Sequence, residues 1–188
     1  MNRYHWDIVG LSETHLPFTG IERINDIKLI TSRRSDGVHR QGVGFLLYKR
    51  AKQSLLAVHP VSDRIITIRL KGTIANMTII HVYAPDSSRN DQEAEEFYSQ
   101  LQYTVDTAPK RDVLFVIGDF NAIVGLSNDR LEDVMGKFGH GWQNHRGEML
   151  INLCRDNELF ITNTMFRHRE RRKVTWRSPD GRTANMID

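Results

Sequence analysis

The stretch Val113 to Ala122, Val-Leu-Phe-Val-Ile-Gly-Asp-Phe-Asn-Ala, limits the choice of fold more than any other part of the chain. A bulky apolar run stops at Gly118, and two polar residues then flank one aromatic, which reads as a buried strand ending at a polar site. Side chains alternate across a strand. If the extended conformation persists to Asn121, Asp119 and Asn121 point the same way and Phe120 turns back into the core. In layered α/β folds, strand ends are where loops converge and polar groups escape burial. The same residues also suit a turn, with Asp119 as a cap and Asn121 as an ordinary turn residue, and spacing alone does not choose between the two.

The residues before this stretch read as mostly β. Trp6 to Glu13 is a short apolar strand ending in a carboxylate, and strand-like runs follow at Ile27 to Thr31, Gly42 to Tyr48, Arg64 to Leu70 and Met77 to Tyr83. The last two are β-branched and separated by a linker containing Lys71-Gly72, which suits a hairpin. Ser88 to Thr107 places Ala94, Phe97, Tyr98, Leu101 and Val105 at helical spacing, with acidic residues near its start. Gly125 to Gly147 reads as a long surface loop. Glu148 to Asn157 reads as a helix, Leu159 to Thr162 and Val174 to Trp176 as strands, and Ala184 to Asp188 as the opening of another. Gly42-Val-Gly44 does not open a helix, so a strand or bulge is expected there rather than a nucleotide loop.

A length of 188 residues suits one sizeable domain, and 39% hydrophobic with 26% charged residues excludes a disordered composition. The formal charge of +3 is too small to identify a polyanionic partner by itself, but Arg167 to Lys173 reads Arg-His-Arg-Glu-Arg-Arg-Lys. A solvated loop or strand edge accounts for that run as well as a phosphate contact does. Cys154 is the only cysteine, which excludes an intrachain disulfide and a cysteine-based zinc cage. No apolar run reaches membrane-spanning length, and the N-terminus lacks an apolar signal region. An intracellular protein, nuclear or cytoplasmic, with no membrane partner is therefore expected.

Glu13, Tyr83 and the Asp119/Asn121 pair each follow an apolar strand. Together they would supply a carboxylate suited to a hard cation, a phenol and an amide for phosphate oxygens, and a second carboxylate to position water. That inventory suits phosphodiester hydrolysis, in which positioning and charge stabilisation dominate.

At these residues the chain resembles the endonuclease/exonuclease/phosphatase superfamily. The matching segments are Leu-Ser-Glu-Thr (11 to 14), Val-Tyr-Ala-Pro (82 to 85), Gly-Asp-Phe-Asn-Ala (118 to 122) and Met-Ile-Asp (186 to 188). Within it, Asp-Ile-Val-Gly-Leu-Ser-Glu-Thr, Arg-Gly-Glu-Met-Leu, Ile-Thr-Asn-Thr-Met-Phe and Thr-Trp-Arg-Ser-Pro-Asp-Gly-Arg-Thr resemble the endonucleases of RTE- or BovB-type non-LTR retroelements and the related craniofacial development protein 2 family.

The resemblance implies a two-sheet α/β sandwich of the DNase I-like type and Mg²⁺-dependent cleavage of DNA, with Mn²⁺ able to stand in. It implies that Glu13 binds the metal, Tyr83 contacts the scissile phosphate, Asp119 orients or deprotonates the attacking water, and Asn121 holds phosphate or water in line. Asp188 would orient a catalytic histidine. Trp176 would line a nucleotide pocket or pack on a sheet, and Arg171, Arg172 and Lys173 would contact DNA.

None of the eight histidines matches the family's catalytic one. His15 and His81 read as surface or packing residues, and His140, His145 and Cys154 match no zinc spacing. In the family, that histidine lies in a Ser-Asp-His segment beyond the residue matched to Asp188, and a metal-site Asn lies on a strand before the first residues here. The expectation is thus a single incomplete domain over residues 1–188, lacking terminal strands and with little nuclease activity. A reverse transcriptase region is expected only in a complete element. Two other readings stay open: a catalytically dead remnant that binds nucleic acid, and a phosphatase of a small phosphoester.

Overall fold

The β-branched and aliphatic runs of the first half form strands because such side chains pack well on a pleated surface. In the computed structural model, which describes residues 5–16, 18–32, 41–178, 180 and 184–188, they make two sheets. Strands β1 (Ile8–Leu11), β2 (Gly20–Ile24), β3 (Ile27–Ser32) and β4 (Val43–Leu47) form an antiparallel sheet in the order β1-β4-β3-β2. After the short helix α1 (Lys49–Ser54), strands β5 (Leu55–Pro60), β6 (Ile65–Leu70), β7 (Met77–Tyr83) and β8 (Val113–Asp119) form the second sheet in sequence order. The hairpin expected across Lys71-Gly72 joins β6 to β7. β8 runs parallel to β7, which requires a crossover, and helix α2 (Asp91–Asp106) provides it.

The contacts of the chain divide it into two compact units, residues 1–83 with 103–119, and 84–102 with 120–188. Both sheets belong to the first unit and face each other as a sandwich. Ile30, Val43, Phe45 and Leu47 from one sheet meet Ile66, Ile68, Leu70 and Ile79 from the other. Burying each such side chain contributes roughly 1.5–3 kcal/mol, so this core stabilises the platform on which β1, β7 and β8 end. Arg69 on β6 grips Asp112 with two bonds of 2.7 and 2.9 Å, and Thr78 on β7 adds a third at 2.8 Å, which anchors the start of β8. The buried strand expected at Val113 to Ile117 from its composition is instead partly exposed. Among the described residues β8 is an edge strand, and Val113 and Phe115 are exposed.

In the second unit Asn90 caps α2 by accepting from the Glu93 amide at 2.8 Å, and Ala94, Phe97, Tyr98 and Leu101 are buried at the spacing the sequence shows. Helix α3 (His145–Asp156) starts three residues earlier than its apolar pattern does, because Asn144 caps it through the Gly147 amide at 2.8 Å. Leu159 to Thr162 does not form the expected strand. Ile161 makes one isolated bridge to Met135, and the backbone then tightens into a 3₁₀ turn, Thr162–Thr164, whose Thr164 hydroxyl donates to the Ile161 carbonyl at 2.6 Å. The short helix α4 (Glu170–Lys173) lies within the basic run, and β9 (Trp176–Arg177) pairs antiparallel with β10 (Ala184–Asn185). Among the described residues, no helix is long and apolar enough to cross a membrane.

Candidate active site

Three strand ends converge at one margin of the sandwich. β7 and β8 are in parallel register with Tyr83 opposite Asp119, so the phenol and the carboxylate close adjacent strands. β1 ends at Leu11, and two residues later Glu13 accepts a hydrogen bond from the Tyr83 hydroxyl. Burial raises the Tyr83 pKa first, the Glu13 bond and charge raise it further, and the Asp119 charge adds to this. Arg64 opposes the rise without reversing it. The phenol is therefore a proton-bearing donor at neutral pH.

The backbone at Glu13 has φ 52°, the left-handed region that a non-glycine residue rarely occupies. Backbone bonds on the two residues that follow hold it there. The Thr14 amide donates to the Gly42 carbonyl at 3.0 Å and the His15 amide to the Gln41 carbonyl at 3.3 Å, so the segment after β1 is bonded to the entry of β4. A Cβ at Gly42, itself at φ 120°, would lie 2.5 Å from the Thr14 hydroxyl. The glycine there permits a close approach and serves no nucleotide loop.

Arg64, which the sequence places first in a strand, belongs to this cluster. It is 9% exposed, its guanidinium lies 5.4 Å from the centre of the Tyr83 ring, and its Nη1 donates to the Tyr83 carbonyl at 3.1 Å. The Tyr83 amide donates back to the Arg64 carbonyl at 2.9 Å. With its amide oriented to satisfy both neighbours, Gln41 donates to Asp63 and accepts from Arg64. A buried cation thus backs the phenol, and a planar guanidinium suits that stacking better than an ammonium would.

His81, two residues before Tyr83, is a packing histidine, as the sequence reading has it. It is 4% exposed, meets Phe45 edge-on at 5.6 Å, and has its Nε2 3.3 Å from the Ser12 hydroxyl. Gly10 makes room for it, since a Cβ there would fall 2.4 Å from Nδ1. Burial pushes its pKa down to about 4, so the imidazole is neutral near pH 7.

The remaining candidates lie in the second unit. The strand geometry expected through Asn121 does not hold: β8 ends at Asp119, and Asn121 has φ 48°, so alternation along an extended strand does not set its direction. Its side-chain amide instead donates to the Ala84 carbonyl at 2.9 Å, the residue after Tyr83. Asn tolerates this backbone region because its short polar side chain bonds locally. The Phe120 amide donates to the Ile187 carbonyl at 2.9 Å, and the Asp188 carbonyl accepts from Asn163 at 2.5 Å. Trp176 is an exposed residue of β9, not a buried core aromatic. Arg172 is exposed, Lys173 bonds Glu170 at 2.9 Å, and the Arg171 side chain lies outside the described residues. His140 and His145 are engaged with Glu170 and Glu148, and Cys154 is buried.

Among the described residues no group of three or more His, Cys, Asp or Glu gathers as a metal cage. The Glu13–Tyr83–Asp119 cluster nevertheless fits Mg²⁺ chemically. It offers only oxygen donors, and Mg²⁺ is typically held by one or two carboxylates while keeping several waters. A closed zinc site, which needs four N, S or O protein ligands, is a poor fit.

A family model described as "Endonuclease/Exonuclease/phosphatase family" matches residues 1–180. Two proteins called craniofacial development protein 2, from Bos taurus and Tragulus javanicus, are 40% and 39% identical to the chain over 189 residues. The match takes in 100% of the chain but 31% and 32% of those two proteins, so the chain spans about a third of their length. Among solved structures, the endonuclease domain of TRAS1, described as a telomere-specific non-LTR retrotransposon, superposes with a TM-score of 0.58 at 16% identity. That superposition covers 87% of the chain and 64% of that domain. The AP endonuclease LMAP from Leishmania major gives a TM-score of 0.52 at 9% identity over 80% of the chain and 57% of the other. The APE2 catalytic domain from Xenopus laevis gives 0.51 at 13% over 77% and 58%. At these identities the structural likeness shows the fold, a DNase I-like two-sheet α/β arrangement.

Proposed function

The chain belongs to the endonuclease/exonuclease/phosphatase family, and from that premise we propose that its site performs metal-dependent hydrolysis of phosphodiester bonds in DNA. One observation carries the reading: the Glu13 carboxylate accepts from the Tyr83 hydroxyl while Asp119 stands opposite Tyr83 in the β7–β8 register. This joins a cation ligand, a phosphate donor and a proton acceptor at one strand margin. DNA as substrate is supported by the names of the structural relatives, all of them endonucleases or AP-endonuclease-type proteins, and by the basic run Arg167 to Lys173.

In this reading Glu13 holds the divalent ion, Mg²⁺ or Mn²⁺. When bound, it neutralises negative charge on the phosphoryl oxygens. Tyr83, kept protonated, donates to a non-bridging phosphate oxygen once the substrate displaces its bond to Glu13. Arg64 holds the ring so that the hydroxyl keeps its aim. Asp119 accepts a proton from the attacking water, whose oxygen bonds to phosphorus as the P–O bond to the departing sugar oxygen breaks. That oxygen takes up a proton from water. Asn121 holds phosphate or water in line, Asp188 serves as an orienting carboxylate, Arg171 and Arg172 supply phosphate contacts, and Trp176 lines the nucleotide pocket.

The test is conversion of supercoiled plasmid to the nicked form by purified protein in Mg²⁺, with EDTA as control. Asp119→Asn and Glu13→Gln should each lower the rate about a hundredfold or more, the scale expected for a lost general base or charge-stabilising group. Nicking that survives both substitutions, or persists in EDTA, would sink the proposal. Binding of DNA in EDTA without nicking in Mg²⁺ would leave a nucleic-acid-binding protein in its place, and phosphate release from a small phosphoester would favour a phosphatase.

A further inference from the structure

The second unit presents large aromatic side chains to solvent beside its basic segment. Trp142 is 89% exposed and Phe166 67% exposed, although exposing an indole and a phenyl ring forgoes favourable apolar burial. Their loops are fastened together. The Gly136 amide donates to the Thr164 hydroxyl at 2.7 Å and the Phe138 amide to the Thr164 carbonyl at 3.0 Å. A Cβ on Gly136 would lie 2.4 Å from that carbonyl, so the backbones touch.

Further along, His140 Nδ1 lies 3.2 Å from Glu170 and its Nε2 3.1 Å from the Ala184 carbonyl, while Lys173 bonds both Glu170, at 2.9 Å, and the Gly139 carbonyl, at 3.4 Å. This His140–Glu170–Lys173 group ties the 139–142 loop to α4. It also occupies the one acidic side chain of the run, Glu170, whose carboxyl is held below the usual range first by the Lys173 bond. Arg167, His168, Arg169 and Arg172 remain exposed around it.

Exposed rings on loops that are bonded to each other and to the basic segment match the chemistry of a single nucleic-acid strand: bases to stack on and phosphates to pair with. A protein partner of ordinary composition would satisfy the rings but offers no such density of negative charge. We propose that Trp142 and Phe166 form a stacking platform for unpaired bases, with Arg167, Arg169 and Arg172 taking the phosphates of the same strand. This surface thus engages DNA that is locally opened rather than uniformly paired. The inference rests on the reading of DNA as the substrate, but not on hydrolysis.

The experiment measures binding in EDTA, where no cleavage intrudes, by fluorescence anisotropy of a labelled oligo(dT) strand and of a blunt duplex of equal length. The expected result is that Trp142→Ala weakens oligo(dT) binding about tenfold, the scale of one lost base–aromatic stack, and Trp142→Phe recovers most of it. Duplex affinity should change far less, and Arg169→Glu should weaken both. Trp142 is on the surface, and an unchanged circular dichroism melt establishes that its variants fold. Equal losses on strand and duplex, an indifferent Trp142→Ala, or no binding of oligo(dT) would each overturn the proposal. A chain that passes this test yet never nicks plasmid in Mg²⁺ refutes the hydrolytic reading alone; one that nicks but fails here refutes only the platform.

Discussion

His81 carries an imidazole into the interior of the sandwich, and the consequence for the folded state has a definite sign. Its pKa falls from an ordinary 6.5 to about 4, chiefly through burial. As pH drops through 6.5 the unfolded chain takes up the proton first, so stability is lost between about pH 6.5 and about 4, and nothing further is lost from this group below that. A shift of this size corresponds to roughly 3 kcal/mol. Urea unfolding at pH 7 and at pH 4.5 should therefore give clearly lower stability at the acid end, and His81→Gln should flatten that part of the profile. An unchanged profile in the variant would show that other groups dominate. Glu13, Tyr83 and Asp119 were legible as polar groups at strand ends because each closes an apolar run, a purely local pattern. Arg64 was not, because its burial comes from the pairing of β6 with β7 and from Gln41 on another segment, which no spacing rule reports.

At the scale of elements, the pairing of β7 with β8 aligns the phenol and the carboxylate, and Gly118 is what allows it. At φ 136°, Gly118 pairs with Val82, and a Cβ there would lie 2.0 Å from the Val82 carbonyl oxygen, a backbone atom that cannot swing aside. Gly118→Ala should cost about 3 kcal/mol in chemical denaturation and impair nicking out of proportion to that loss, because the register beside Tyr83 and Asp119 shifts. Wild-type stability in this variant would show that the strand end tolerates a side chain. Short apolar and β-branched runs were enough to reveal β1, β3, β4, β6 and β7. They could not reveal β2, whose Glu22 and Arg23 face solvent at a sheet edge, nor α1 and β5, where a helical turn runs directly into a strand. The strand read at Leu159 to Thr162 failed for the converse reason: a local apolar run found no continuous partner beyond Met135.

For the molecule as a whole, a formal charge of +3 is too small to drive binding to a polyanion, so any affinity for DNA has to arise where charge is concentrated. Binding should weaken steeply as KCl rises, and Arg172→Ala should lessen the slope of log K against log salt by about 0.7–0.9, the contribution of one phosphate contact. Lys173→Ala should act differently. Its ammonium already holds Glu170 and the Gly139 carbonyl, so its loss loosens the mounting of the 139–142 loop and lowers oligo(dT) affinity together with that segment's thermal stability. A Lys173→Ala variant whose melt is unchanged would assign that residue to phosphate alone.

The sequence by itself determined that strands would dominate the first half and that an amphipathic helix with acidic residues near its start would connect β7 to β8. It also determined that carboxylates and a phenol would stand at or just after the ends of three of the strands. Each of these is a short-range matter of side-chain shape, periodicity and abrupt changes of polarity. Only the tertiary structure decided that Glu13 meets Tyr83 across 70 residues of chain, that Arg64 lies behind the phenol, and that Asn121 turns to the Ala84 carbonyl. It also decided that Trp142 stands exposed on a loop tied to α4. Those outcomes depend on sheet register, on left-handed backbone at single residues and on burial by distant segments. Such properties arise when the chain packs, and no window of sequence contains them.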